Sequence, residues 1–208
     1  MKKCILIIIF ILFSTGCNSF YKNVKEVKNP NSKLVLVNKN NRLKDDFIPS
    51  DLIKLDLTYS NDNKYLKKEA AKAFYKLSKD AKKLGYRIIV VSGYRSYTYQ
   101  EELFAYYVKE KGMDYALLCS AKAGHSEHQT GLAVDVEGSN MDYDLFDESK
   151  EFNWMINNAH KYGFILRYPK GKEKITGFKY EPWHYRYVGK KVAKYIYENK
   201  IGRAHVWT

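Results

Sequence analysis

The chain has 208 residues, 45% of them hydrophobic, which suits one globular domain with its own core and excludes a disordered chain. Its formal charge is +13, or +11 without Lys2 and Lys3. Such a surface suits anionic lipid or an acidic polymer, or a solvated Lys- and Asn-rich exterior, but no basic run with interleaved stacking aromatics points to nucleic acid.

Lys2 and Lys3 precede an unbroken apolar run from Ile5 to Phe13, followed by Ser14, Thr15 and Gly16. Residues 1–16 therefore read as a signal peptide, too short to span a membrane as a helix. Small residues directly before Cys17 resemble a bacterial lipobox, in which the thiol is acylated and becomes the new N-terminus. Ser14 stands where that pattern prefers leucine, so simple cleavage and an uncleaved anchor stay open. Each of the three readings exports the domain. Past the signal, Cys119 is the one cysteine besides Cys17. It forms no intramolecular disulfide and reads as a small buried hydrophobe on a helix.

Residues 17–33 are polar and read as a tether. "KLVLVNKNNRL" predicts a short strand and an Asn-rich turn. Residues 61–85 predict a helix capped by Asn61 or Asp62, with Leu66, Ala70, Ala73, Phe74, Leu77 and Ala81 as its apolar stripe and Gly85 as its stop. "YRIIVVSG" predicts a buried strand. Ser96 or Thr98 caps the next helix, with Thr98 and Glu101 spaced as a capping box. A short helix over 114–121, a strand "GLAVDV", a helix over 148–161 stopped by Gly163, strands "FILRYP" and "WHYRYVG", and a helix over 190–199 follow. This order has no regular βαβ rhythm. It predicts an α+β domain over 34–199, in which helices flank a small antiparallel sheet that carries the site. The tail, 200–208, ends in "IGRAHVWT" after a complete amphipathic helix. One reading makes it non-native, "IGRAHV" being the translation of a common sequencing adapter, so that the natural C-terminus is missing or altered.

"AGHSEHQTGLAVDV" (123–136) concentrates chemistry. On a strand, Leu132, Val134 and Val136 share a core face, and Gly131, Ala133 and Asp135 share the other. Asp135 thus has neighbours with almost no side chain, the clearance a metal-binding carboxylate needs. His128 sits where a turn through 129–131 can swing its ring to the same side. A catalytic zinc takes three protein ligands and keeps one position open. His184 in "YEPWHYRYVG" offers the third, with Glu181 nearby. Pro182 excludes a helical HExxH arrangement. Strand parity puts Glu181 and His184 on opposite faces, so a bend at Pro182 is required. Singly, His125 reads as a capping or solvent residue and His160 as a partner of a helix dipole.

Taken together, Ser126, His128, Gly131, Ala133 and Asp135 ("SxHxxGxAxD"), then "EPWH" (181–184), closely resemble the VanY-type D-alanyl-D-alanine carboxypeptidases, zinc peptidases of peptidoglycan related to L,D-carboxypeptidases. "VSGYRSYTYQ" (91–100) and most of 167–189 also match. The resemblance covers roughly residues 34–199. Lys122-Ala123 depart from a common Arg-Pro, and Arg42 stands in a turn that often holds proline.

The resemblance implies one Zn2+ ion held by His128, Asp135 and His184, with Glu181 as general base and then acid. Zinc lowers the pKa of a bound water from about 15.7 to about 7. Arg95 would stabilise the oxyanion. Ser126 and Gln100, with Arg95 shared, would bind the substrate carboxylate; Tyr94, Trp183 and Tyr185 could wall the pocket. The expectation is a monomeric, exported carboxypeptidase on the outer membrane face, lipid-anchored at Cys17, that removes terminal D-alanine from stem peptides. An L,D-carboxypeptidase or an endopeptidase with the same zinc site stays open, as does a non-catalytic wall-binding module.

Overall fold

The computed structural model describes residues 21–139 and 143–199. In chain order its strands are β1 (Lys25–Glu26), β2 (Asn41–Arg42), β3 (Leu52–Lys54), β4 (Tyr65–Lys67), β5 (Ile89–Ser92), β6 (Ala133–Glu137), β7 (Phe164–Tyr168) and β8 (Glu181–Tyr187). The helices are α1 (Lys68–Lys82), α2 (Tyr97–Lys111), α3 (Met113–Cys119), α4 (Lys150–Asn158), α5 (Glu173–Thr176) and α6 (Lys190–Glu198). Four strands form one antiparallel sheet in the order β5-β6-β8-β7, and β1-β2 and β3-β4 form two-stranded ladders. The domain is α+β, as the sequence predicts.

Strand alternation gives this sheet two unlike faces. Val90, Val134, Val136, Phe164, Leu166, Tyr185 and Tyr187 join the main core with Ala70, Phe74, Leu77 and Ala81 of α1. Phe74 meets Phe164 edge to face at 6.2 Å. Each large apolar side chain buried here contributes about 1.5–3 kcal/mol. The opposite face carries Asp135, Glu137, His184 and Arg186, all buried. A polar face buried in this way must be internally paired, and it holds the site.

Several expectations fail for physical reasons. The first helix begins at Lys68, not near Asn61, because Tyr65–Lys67 pairs with Leu52–Lys54 and buries Leu66; Lys67 caps the helix with no side-chain hydrogen bond. Tertiary pairing outweighs helix propensity there. Residues 34–37 form no strand. Val35, Val37 and Leu43 make a satellite cluster, and the carbonyls of Lys33 and Val35 accept from Arg186 Nη2. Part of the segment read as a tether is paired, since β1 runs parallel to β2. Ser96, not Thr98, caps α2, its hydroxyl accepting from Tyr99 N at 3.1 Å. The signal segment 1–16, Cys17 and the tail 200–208 lie outside the described residues.

Candidate active site

The site starts from a strand register. Asp135 on β6 and His184 on β8 are cross-strand partners, so alternation aims both at the polar face. His184 Nδ1 lies 3.1 Å from Asp135 Oδ1. The third side chain comes from a 3-10 turn over Glu127–Thr130. Ser126 caps that turn, its hydroxyl accepting from His128 N at 3.3 Å, and Gly131 ends it at φ 66°. Gly131 is therefore not part of the strand. A Cβ there would meet Leu52 Cδ2 at 2.8 Å and Lys67 N at 3.1 Å. Its smallness serves close packing of the turn on β3 and β4 rather than clearance around Asp135.

His128 Nδ1 donates to Gly93 O at 2.7 Å. That bond fixes the tautomer and leaves Nε2 bare, 3.3 Å from Asp135 Oδ2. The two imidazoles stand perpendicular, centroids 5.0 Å apart. One ligand atom each from His128, Asp135 and His184 can be chosen so that all lie within 4.8 Å of one another. Asp135 Oδ1 is buried with no hydrogen-bond partner, although His184 Nδ1 is near. Two nitrogens and a carboxylate aimed at a common point fit zinc in an open four-coordinate site.

Glu181 reaches the same place. Its Oε2 lies 3.4 Å from His184 Nδ1. The bend that parity requires is present as a register shift between the Leu166↔Tyr185 and Tyr168↔Glu181 pairs, which bracket Pro182. Burial pushes the Glu181 carboxyl up to about 7, despite His184. Burial alone would raise Asp135 too, but His128, His184 and Arg95 hold it well below the usual range. Burial and Arg95 lower His128 and keep it neutral. His184 goes the other way. Burial would lower it, but the carboxylates of Asp135, Glu127 and Glu181 beside it raise it to about 9. The surrounding acids thus draw a positive charge to this point, which a proton or a metal dication can supply.

Arg95, on the turn after β5, is held at three points. Nε donates to Ser92 Oγ at 3.0 Å, Nη1 to Gln100 Oε1 at 3.3 Å and Nη2 to Asp135 Oδ2 at 2.6 Å. Gln100 is buried, and its amide nitrogen donates to Ser120 Oγ and Ala121 O. It therefore orients Arg95. Ser126, Gln100, Arg95 and Trp183 line a cleft of about 400 Å³ that contains the metal triad and Glu181. Tyr185 does not wall it; its side chain is fully buried in the core on the other face. Tyr94 is not among the lining residues. Cys119 lines the cleft half-exposed rather than buried. His125 is buried, its Nδ1 2.9 Å from Asn38 O, and His160 stacks on Tyr197 at 3.7 Å. Neither joins the triad.

Sequence reasoning missed the layer behind His184. Glu127 Oε2 lies 3.5 Å from His184 Nε2, so a carboxylate backs the imidazole. Glu127 Oε1 accepts from Arg167 Nε at 2.8 Å and meets Arg186 Nη1 at 3.0 Å. Burial would raise this acid, but the two guanidinium groups hold it far below the usual range. Tyr168 packs its ring on His184 at 4.7 Å. A signal existed: an arginine in the middle of each apolar strand, "FILRY" and "WHYRY", requires a buried counter-charge.

Comparison with known proteins agrees with this geometry. A family model described as VanY, D-alanyl-D-alanine carboxypeptidase, matches residues 63–190. YodJ of Bacillus subtilis (strain 168) is 43% identical over 197 residues, covering 88% of this chain and 72% of that protein. The solved structure of the LdcB LD-carboxypeptidase, which addresses peptidoglycan recognition, superposes with a TM-score of 0.79 at 44% identity, covering 86% of this chain and 87% of that one. The vancomycin-resistance D,D-pentapeptidase VanY of a VanB-type cassette, solved with Zn(II), gives a TM-score of 0.68 at 33% identity and covers 80% and 93%. With a donor set that takes zinc and a family match across both of its ligand segments, this chain belongs to the VanY family of D-alanyl-D-alanine carboxypeptidases.

Proposed function

We propose that this chain is an exported zinc carboxypeptidase that releases the terminal D-alanine of peptidoglycan stem peptides. The observation that carries this reading is the Glu181 carboxylate, 3.4 Å from the ligand nitrogen of His184 and pushed by burial to about 7. An acid so placed takes a proton from water near neutral pH and returns it to the leaving amine. A site that only bound metal or wall polymer has no use for it. When bound, zinc supplies a Lewis acid that makes water nucleophilic near pH 7 and polarises the scissile carbonyl. His128, Asp135 and His184 hold it. Arg95, fixed at three points beside Asp135, places a guanidinium where negative charge develops on the carbonyl oxygen. Ser126 and Arg95 face the cleft and receive the substrate's terminal carboxylate, with Gln100 aiming the arginine. The signal-like segment and Cys17 support export and a lipid anchor at the outer membrane face.

A second reading keeps the chemistry and shifts the bond. The LD-carboxypeptidase LdcB is the nearer of the two solved structures in identity, 44% against 33%. This favours removal of D-alanine from the tetrapeptide. Incubation of purified protein with penta- and tetrapeptide stems, followed by mass analysis, decides. Loss of one alanine from the pentapeptide alone supports the D,D reading, and loss from the tetrapeptide alone replaces it. No loss from either, with zinc present, overturns the proposal.

A further inference from the structure

Helix α1 gives its apolar side, Ala70, Phe74, Leu77 and Ala81, to the core. On its outer side Lys68, Lys72, Lys76, Lys79 and Lys82 are all exposed. Helical spacing gathers them within an arc of about 120°, along about 21 Å of axis. The two acids of the helix are engaged elsewhere. Glu69 Oε1 meets Lys33 Nζ at 2.8 Å and accepts from the Tyr187 hydroxyl at 2.7 Å. Asp80 meets Lys83 Nζ at 2.7 Å and accepts from the Tyr162 hydroxyl at 3.0 Å. None of the five lysines has an ion pair among the described residues. Like charges one turn apart weaken a helix, and cations near its start oppose its dipole. The dipole accounts for Lys79 and Lys82 in the last turn, but not for Lys68 and Lys72. A helix that carries this cost with no counter-charge of its own is complementary to an anion from outside the chain.

We propose that the outer face of α1 is a docking surface for a linear polyanion built of short polyol phosphate units, one charge per repeat. Lysines four residues apart stand about 6 Å apart along the axis, an interval that three-carbon units joined by phosphodiesters also span. A lysine ammonium is a mobile point charge and suits a flexible polymer better than the rigid fork of arginine. A bilayer fits less well. The apolar side of α1 is already buried, and no large apolar side chain between Lys68 and Lys82 is exposed to enter it. Nucleic acid fits less well too, because Tyr75, the aromatic on this side, is half-buried against Tyr59 and leaves no ring for a base to stack on. The sheet lies between α1 and the metal triad. A polymer held on α1 therefore leaves the cleft open to peptide, and the surface retains the protein without taking part in hydrolysis.

The test titrates the zinc-loaded protein with poly(glycerol phosphate) at about 50 and about 200 mM salt. Counterion release from a flexible strand changes log Kd with log salt by about 0.7 for each lysine engaged. The triple variant Lys72→Gln, Lys76→Gln and Lys79→Gln binds at least about tenfold more weakly at the lower salt and loses about 2 from that slope. Its melting temperature holds or rises, since glutamine keeps the helix and relieves the repulsion. A control triple, Lys109→Gln, Lys111→Gln and Lys191→Gln, removes as much exposed charge elsewhere and stays within about twofold of the wild type. Equal weakening in both triples reduces the effect to net charge and overturns the surface. So does tighter binding, phosphate for phosphate, to vesicles of anionic phospholipid or to single-stranded DNA. No binding of the wild type to the polymer at the lower salt overturns it as well, and each of these outcomes leaves the peptidase reading intact.

Discussion

His184 and Asp135 face each other as cross-strand partners, with Nδ1 and Oδ1 3.1 Å apart. The metal site is therefore built on sheet register, and only the His128 corner depends on a turn. Asp135→Ala removes one ligand, strips Arg95 of its carboxylate and is expected to leave the chain folded. Zinc content and turnover should both fall to background, with the circular dichroism spectrum unchanged. Stoichiometric zinc in the variant would show that the carboxylate is not a ligand.

Arg95 touches the triad through its 2.6 Å bond to Asp135 Oδ2, so a structural and a chemical role must be separated. If it stabilises the oxyanion, Arg95→Ala lowers kcat by about 10²–10³-fold while zinc content stays near one per chain. Zinc loss in step with activity would assign it to holding Asp135 instead.

Glu127 gives a prediction for stability and for metal. Glu127→Gln leaves Arg167 and Arg186 buried without their counter-charge, a cost of about 3–5 kcal/mol. It also weakens zinc binding by about 10–100-fold, since His184 loses its backing carboxylate. Burial opposes the charge of Glu127, but the two arginines outweigh it and depress its folded pKa. Its contribution to stability is then full above the ordinary value of 4.5 and is lost as pH falls toward the folded value. Urea midpoints of the zinc-free protein should hold from pH 7 to pH 5 and fall below that, and the fall should be smaller in the variant.

Zinc affinity should depend on pH in a set direction. The proton on His184, raised to about 9, has to leave before Nδ1 can bind the ion. Apparent affinity should rise about tenfold per pH unit from 6.5 to 8.5 and level off above 9. Competition with a coloured chelator at several pH values measures this. A flat profile would mean that the proton sits elsewhere.

Gly131 supports His128 from behind, at φ 66° and against Leu52 and Lys67. Gly131→Ala should destabilise the fold by about 1–3 kcal/mol. Thermal unfolding checks it.

Alternation along "LAVDV" separates a core face from a site face, and the structure divides these residues in that way. His128, Asp135 and His184 were legible as a set because the segments that carry them together resemble the VanY family; residue type and alternation alone left each of them a structural use. Glu181 was legible by family likeness but not by parity, because the β8 register shift that brings it round is a property of strand pairing. The start of α1 was illegible for a related reason: Leu66 has helical spacing, but Tyr65–Lys67 finds a partner in Leu52–Lys54, far enough along the chain to escape a local reading. Glu127 was passed over because an acid beside a histidine reads as solvated until the arginines of two other strands are brought to it.

The most direct test pairs metal analysis with D-alanine release for the wild type, Glu181→Ala and His184→Ala. The wild type should hold one zinc and turn over, Glu181→Ala should keep the zinc and lose about 10²–10⁴-fold in rate, and His184→Ala should lose both. Normal turnover by Glu181→Ala, or a wild type that neither holds zinc nor is activated by it, would contradict the account.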